Sequence, residues 1–156
     1  MIYSENEQFY NINKAIFWID KVVFRHKKYN YIKTYISILE KQRIINYNQI
    51  FQLCLTGSEN GSTYCMYRVS DAYLNGRGVV KDICKAEEYI KKAYGLNKVW
   101  AFEYCKVLLL THDLSKREIA LNIYKELADK GDRRASIMYS KISRNNNDYS
   151  NKTEMK

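Results

Sequence analysis

A self-similar pattern, repeated at about the length of one helix pair, limits the possible folds of this chain most strongly. Gly61, Asn97 and Gly131 are separated by 36 and 34 residues. Four positions after each comes a small side chain: Cys65, Ala101 and Ala135. Glycine and asparagine tolerate the left-handed conformation that ends many helices, and a small residue one turn later lets two helix backbones approach closely. A helix, a left-handed corner and a second helix therefore recur, which predicts stacked helical repeats.

Composition favours helices throughout. The 156 residues include no proline and only six glycines, so the residues that usually form the turns between strands in β-sandwiches and β-barrels are rare. No segment alternates polar and apolar residues long enough to predict a strand. Hydrophobic content of 46% with 28% charged residues is ordinary for a folded domain. We therefore predict an all-α chain of about eight helices.

Helical spacing of apolar residues and cap residues places these helices. The first begins at a capping box, Ser4-x-x-Glu7, and ends near the basic cluster at 25–28. The second begins near Asn30, with one apolar face, and a third lies around residues 50–54. Asp82 is a suitable N-cap, and Ser115-x-x-Glu118 is a second capping box. The remaining predicted helices are 62–75, 82–95, 98–110, 115–129 and 132–143.

The segment "YLNGRGVVKDICKAEEYIKKA", residues 73–93, allows two interpretations of its closely spaced glycines. They are either a phosphate-binding loop or a tight corner between two helices. A dinucleotide-binding fingerprint needs a preceding strand and a third glycine at position 81, which is lysine here. The Gly-Lys-Ser/Thr of a Walker loop is missing as well. A corner is therefore the favoured interpretation, because Gly76 and Gly78 permit backbone angles that a side chain would forbid.

The same segment resembles the Sel-1-like repeat family, which is related to the tetratricopeptide repeats. The positions that match are Tyr73, Gly76, Gly78, Val79, Asp82, Lys85, Ala86, Tyr89 (tryptophan in the family), Lys92 and Ala93. The match is partial over the rest of the repeat region, and residues 1–45 show no resemblance to the family. The resemblance implies an α-solenoid, a right-handed superhelical array of antiparallel helix pairs. We expect N-terminal atypical or capping helices at 1–45, Sel-1-like repeats at 46–143 and a disordered tail at 144–156.

No catalytic, metal or cofactor site is predicted. The four cysteines form no CxxC pair and are expected to be small buried hydrophobic residues rather than disulfides. Cys105 and His112 could share a helix face as nucleophile and base, but a core thiol and a capping imidazole are the favoured interpretation. Core packing is the default expectation for Trp18 and Trp100, although Trp100, beside the small residue Ala101, could reach the inner face of the array. The N-terminal segment lacks the pattern of a secretion signal, and no apolar run is long enough to span a bilayer.

The favoured function is therefore binding of another protein, without catalysis. The repeat pattern predicts that helix four buries Cys65, Val69 and Tyr73. The side chains predicted to contact a partner are Tyr67, Arg68, Asp71, Trp100, Glu103 and Lys106. The resemblance implies an adaptor or scaffold role, commonly in bacteria. The missing secretion signal predicts a cytoplasmic location, and a short array of this kind is also similar to a small immunity protein that blocks a toxin domain. The net charge of +9 suits an acidic patch on the partner.

Two alternatives remain at this point. A basic chain could bind nucleic acid, but the positive charge is spread along the sequence rather than concentrated. A hydrolase is the third possibility, since that activity has been claimed for some secreted family members. We expect a monomer or a 1:1 complex, with no membrane contact.

Overall fold

The computed structural model describes the backbone of residues 5–153 and the side chains of residues 11–144. Two compact units divide the chain, Met1–Asn97 and Lys98–Lys156. The described residues form helices and connecting turns and contain no strand, so the all-α prediction is confirmed. The sequence predicts another division, into N-terminal capping helices, repeats and a C-terminal tail. That division does not correspond to the two units and stays a prediction.

The first unit contains five helices joined by short connections. They are α1 (Glu5–Asp20), α2 (Ile32–Leu39), α3 (Tyr47–Glu59), α4 (Thr63–Asn75) and α5 (Ile83–Leu96). A π-helical turn, Lys21–Arg25, continues α1, and a 3₁₀ turn, Tyr29–Tyr31, precedes α2. Because the connections are short, consecutive helices return antiparallel and pack side by side, with the closest packing between α4 and α5 and between α3 and α4.

The core of this unit is formed by the apolar stripes that the sequence predicts. Ile32, Tyr35, Ile36 and Leu39 of α2 are all buried. On α4 the predicted inner residues Cys65, Val69 and Tyr73 are buried as well, which confirms the face assigned to that helix. Each fully buried aliphatic side chain contributes roughly 1.5–3 kcal/mol relative to its exposed state.

Left-handed glycines make the corners. Gly76 ends α4 with φ of 69°, and Gly78 follows with φ of 73°. The amide of Asp82 then donates to the carbonyl of Tyr73 at 3.0 Å, which closes the loop. The Asp82 carboxylate accepts from the Lys85 amide at 3.0 Å, so its predicted role as N-cap of α5 is confirmed. The loop is a helix-to-helix corner.

The repeat residues around this corner pack as the resemblance implies. Tyr73 lies edge-to-face with Phe51 and stacks on Tyr89, with ring centroids 5.4 and 6.0 Å apart. Val79 packs against the core of the unit. Ala86 and Ala93 of α5 are completely buried. The buried Ser70 hydroxyl donates to the Ala86 carbonyl at 2.7 Å, which joins α4 to α5.

The second unit contains three helices. They are α6 (Ala101–Leu110), α7 (Leu114–Asp129) and α8 (Arg133–Thr153), and a 3₁₀ turn, Lys98–Trp100, precedes α6. Ala101 and Ala135, the small residues of the repeat pattern, are buried. Gly131 has the predicted positive φ, 91°, at the corner between α7 and α8. Ala135 is therefore buried one turn after a left-handed corner, as predicted.

Two predictions about helix ends are wrong. Asn97 has φ of −147° and ψ of 116°, which is extended, because the chain leaves α5 into the 3₁₀ turn and needs no left-handed residue there. Helix α7 is capped by Asp113, whose carboxylate accepts from the amides of Ser115 and Lys116, so the Ser115–Glu118 capping box does not form. Ser4 of the first capping box lies outside the described residues.

Two further differences concern Trp18 and the C-terminal segment. Trp18 is 56% exposed rather than part of the core. It is out of register with the stripe of Ile16, Ile19 and Val23 on the same helix, so it lies on the opposite face. Helix α8 continues past position 143 to Thr153, because no glycine or proline interrupts this part of the chain.

Candidate protein-binding site

Helix α4 carries three of the residues predicted to contact a partner, and all three are half-buried. Tyr67, Arg68 and Asp71 lie on the side of the helix away from its buried residues Cys65, Val69 and Tyr73. None of the three is a freely solvated side chain. Their surroundings therefore decide what this surface can offer a partner.

Arg68 is held in a defined position by two neighbours. Its guanidinium donates to the Glu40 carboxylate at 2.5 Å and to the Tyr64 hydroxyl at 3.0 Å. Partial burial would lower the pKa of Arg68, but the hydrogen bonds to Glu40 and Tyr64 and the negative charge of Glu40 raise it overall. Because both partners fix the side chain, little conformational freedom is left to lose on binding.

Asp71 organises the neighbouring corner. Its carboxylate accepts from the Asn75 amide at 2.8 Å and from the Arg77 guanidinium at 3.3 Å. Arg77 lies in the corner between α4 and α5, so this ion pair links the helix to the glycine loop. Most of the Arg77 side chain remains exposed, and such a surface pair contributes less than about 1 kcal/mol to stability.

These charged groups border a small cleft between α3 and α4. The cleft is lined by Tyr47, Ile50, Phe51, Arg68, Asp71 and Arg77, among others. Its walls are apolar, and its rim carries two arginines and a carboxylate. The recess has a volume of about 20 Å³, room for about one water molecule, so a partner meets the fixed polar rim rather than a deep pocket.

The second unit carries the other three predicted contact residues. Trp100 ends the 3₁₀ turn at the N-cap position of α6 and is half-buried. Glu103 is half-buried in the first turn of α6, and Lys106 is exposed one turn later. Trp100 is therefore partly packed and partly open to solvent. A role of these three residues in binding stays a prediction.

Sequence reasoning missed Glu40, Tyr64 and Arg77 as members of this surface. Glu40 is 28 residues away from Arg68, and no local pattern pairs them. Tyr64 precedes Arg68 by one helical turn, so the spacing of four residues was a usable signal for that contact.

The thiol–imidazole pair considered from the sequence is not a nucleophile–base pair in the structure. Cys105 is fully buried, and its thiol donates to the Ala120 carbonyl at 3.7 Å. Burial raises the pKa of Cys105 to about 12, so the thiol stays protonated near neutral pH. His112 is exposed at a corner, with φ of 56°, and Asp113 rather than His112 caps α7.

The other cysteines are free thiols as well. Cys54 and Cys65 lie on neighbouring helices, each 1% exposed, and a hydrogen bond between them together with burial raises the pKa of Cys54. Cys84 is exposed, which contradicts the expectation of four buried thiols. It occupies the second position of α5, on the side away from Ala86 and Ile90.

Thiol labelling should distinguish these sites. We expect one fast-reacting thiol with Ellman's reagent in the native protein, because only Cys84 of the four is exposed. Cys84→Ser should remove the fast phase, while the remaining three thiols should react only at the rate at which the protein opens. A second fast thiol in the Cys84→Ser variant would contradict the burial of Cys54, Cys65 and Cys105.

The described part of the chain forms neither a metal-binding cluster nor a transmembrane helix. Its His, Cys, Asp and Glu side chains do not gather into any group of three that could hold a metal ion. Among residues 5–153, no helix combines the length and the hydrophobicity of a transmembrane span.

Comparison with known proteins supports the fold. No family model matches the sequence. No curated protein shows significant sequence similarity to it. A crystal structure of a Sel1 repeat protein from Oxalobacter formigenes aligns with 85% of this chain at a TM-score of 0.64 and 19% sequence identity. The aligned region is 57% of that protein's chain, so this sequence spans less than two thirds of it. With its antiparallel helix pairs and glycine corners, the chain has a Sel1-like repeat fold.

Proposed function

We propose that this protein is a non-enzymatic protein-binding module. Most concretely, it is a small bacterial immunity-type, inhibitor-type or adaptor protein that binds and blocks a partner such as a toxin domain. The Sel1-like repeat fold is the observation that carries the proposal. Stacked helix pairs present one helix of each pair as a preformed surface, so binding requires little ordering of the chain.

The surface around α4 supplies the contacts in the first unit. Arg68 is fixed by Glu40 and Tyr64, and Asp71 is fixed by Asn75 and Arg77. Arginine and tyrosine are enriched among the residues that dominate interface energies. We propose that the partner packs across the shallow cleft beside Arg68 and that the charged rim sets its orientation by hydrogen bonds.

In the second unit, we propose contacts through Trp100, Glu103 and Lys106 of the 3₁₀ turn and α6. A half-buried tryptophan can serve as an apolar anchor, and the exposed lysine further along α6 can contribute to a polar rim. The net charge of +9 favours a partner with an acidic patch, because opposite charge speeds the encounter and suppresses wrong partners.

Affinity capture from a lysate of the source organism tests this proposal. The tagged protein is used at low and high salt, with nuclease present, and bound proteins are identified. We expect one protein to be retained under both conditions. With that protein purified, Arg68→Ala should weaken binding about 30-fold, a change of about 2 kcal/mol, because it removes a fixed arginine at the cleft.

Lys91→Ala is the matched control, since Lys91 is an exposed cation on α5 outside the proposed surface. It should bind within about twofold of the wild type. Circular dichroism melting of both variants checks that each remains folded. Capture that disappears with nuclease would overturn the proposal in favour of nucleic-acid binding, and equal loss in both variants would exclude the α4 surface.

A further inference from the structure

The outer face of α1 and its π-helical turn carries aromatic and basic residues that have no role in the protein-binding proposal. Helical spacing places Lys14, Phe17, Trp18, Lys21 and Arg25 on one side of this segment. We call these five residues the aromatic–basic face. The opposite side carries Ile16, Ile19 and Val23, which pack into or against the core. The outward-facing parts of the two rings are therefore available to a partner.

Two large aromatic side chains are more than half exposed on this face. Phe17 is 55% exposed and Trp18 is 56% exposed, and their centroids are 5.6 Å apart in an edge-to-face contact. The Lys21 ammonium lies 4.1 Å from the Phe17 centroid and 5.1 Å from the Trp18 centroid. Single exposed apolar residues are common, but adjacent exposed rings with a cation between them form a patch, and such patches mark interaction sites.

Among residues 11–33, the charge around the patch is mostly positive. Residues 11–33 contain six basic side chains, Lys14, Lys21, Arg25, Lys27, Lys28 and Lys33, and one acidic side chain, Asp20. Asp20 lies to one side, where its carboxylate accepts from the Tyr35 hydroxyl at 3.0 Å. No acidic residue belongs to the aromatic–basic face, so a partner of complementary charge must be anionic.

We propose that the aromatic–basic face binds the surface of an anionic lipid bilayer. Tryptophan and phenylalanine rings partition into the boundary between headgroups and acyl chains, while lysine and arginine reach the lipid phosphates beside them. Each basic side chain close to an anionic leaflet adds to the attraction. Binding is peripheral: the helix keeps its other side in the protein core and does not cross the bilayer.

Ring geometry favours lipid over single-stranded nucleic acid. Stacking of bases needs open ring faces, ideally on several parallel rings. Here the planes of Phe17 and Trp18 are inclined by 77°, and the Lys21 ammonium lies over both rings. The rings therefore offer edges and a shared cation rather than a stacking platform.

The balance of lysine over arginine favours lipid over an acidic protein. Protein interfaces are depleted in lysine and enriched in arginine, which forms bidentate contacts with carboxylates. Five of the six cations in residues 11–33 are lysines. Flexible point charges of this kind suit a diffuse layer of negative headgroups better than a fixed set of carboxylates.

Vesicle co-sedimentation of the full chain tests the proposal. Phosphatidylcholine vesicles with and without phosphatidylserine are compared at low salt. We expect binding only to the vesicles that contain phosphatidylserine, decreasing as salt is raised. The double variants Lys21→Glu with Arg25→Glu, and Phe17→Ala with Trp18→Ala, should each reduce the partition coefficient at least about tenfold.

Lys91→Glu with Lys125→Glu is the matched control. It changes the net charge by the same amount at two exposed lysines outside the face, and it should bind within about twofold of the wild type. Thermal melting of each variant confirms folding. Failure of the wild type to bind phosphatidylserine vesicles, or an equal loss in the control, would overturn the proposal. Binding to a single-stranded oligonucleotide or an acidic protein that requires Lys21 and Arg25, without vesicle binding, would also overturn it.

Discussion

Replacing Gly78 by alanine should lower the free energy of unfolding by more than about 3 kcal/mol, which is among the largest effects of a single methyl group. Gly78 has φ of 73°, where an L-residue is strained by about 1–2 kcal/mol. A Cβ atom there would also lie 2.2 Å from the carbonyl oxygen of Tyr47 and 2.6 Å from the amide nitrogen of Asn48. Backbone atoms cannot rotate away, so the glycine loop and the start of α3 must separate.

Two glycines of the same unit serve as controls for this substitution. Gly76→Ala keeps the left-handed strain, with φ of 69°, but its Cβ meets nothing closer than 3.7 Å, so we expect a loss of only about 1–2 kcal/mol. Gly95→Ala lies in helix α5 with nothing within 4 Å, and it should stabilise the protein by about 0.5–1 kcal/mol. Urea denaturation followed by circular dichroism gives the three values. Equal losses at positions 76 and 78 would contradict the close approach to Tyr47.

Gly57→Ala should destabilise the protein by about 2 kcal/mol, although alanine is the better helix former. Gly57 is buried in α3 where α4 approaches most closely. An added Cβ would lie 2.4 Å from the Cys65 sulfur and 3.2 Å from Cδ1 of Ile32. The methyl group therefore pushes α4 away from α3, and the packing of the whole helix pair is disturbed.

A double-mutant cycle with Cys65→Ala tests the cause. Removing the sulfur eliminates the shortest contact, so Gly57→Ala should cost at least about 1 kcal/mol less in the Cys65→Ala background than in the wild type. The contact with Cβ of Cys65, at 3.0 Å, would remain and limit the rescue. If the effects of the two substitutions on the free energy of unfolding add within about 0.5 kcal/mol, the contact between residues 57 and 65 does not set the distance between α3 and α4.

The repeat pattern made the central part of the fold predictable because its signals are local. The φ value of Gly76 depends on the conformation of its own residue, and the Asp82 cap bonds to an amide three positions away. Sequence signals for a helix end were less reliable where the outcome depends on the turn or helix that follows. Asn97 was expected to be left-handed and is extended, since the 3₁₀ turn that follows changes how the chain leaves α5.

The candidate site was predictable only in part. Helical periodicity placed Tyr67, Arg68 and Asp71 on the outer side of α4, but it could not show that Glu40 fixes Arg68 or that Arg77 fixes Asp71. Trp18 shows the opposite case. Its register against Ile16 and Val23 already indicated an outward position, and its hydrophobic character suggested a core residue instead.

The sequence by itself determined the all-helical class, the repeat length and the left-handed glycines, because each rests on backbone preference or on contacts within a few residues. Only the tertiary structure decided the approach of Gly78 to Tyr47, the contact of Gly57 with Cys65 and the exposure of the aromatic–basic face. These features join residues from different helices or depend on which side of a helix is left uncovered. They follow from how the helices pack, and helical spacing alone does not specify that.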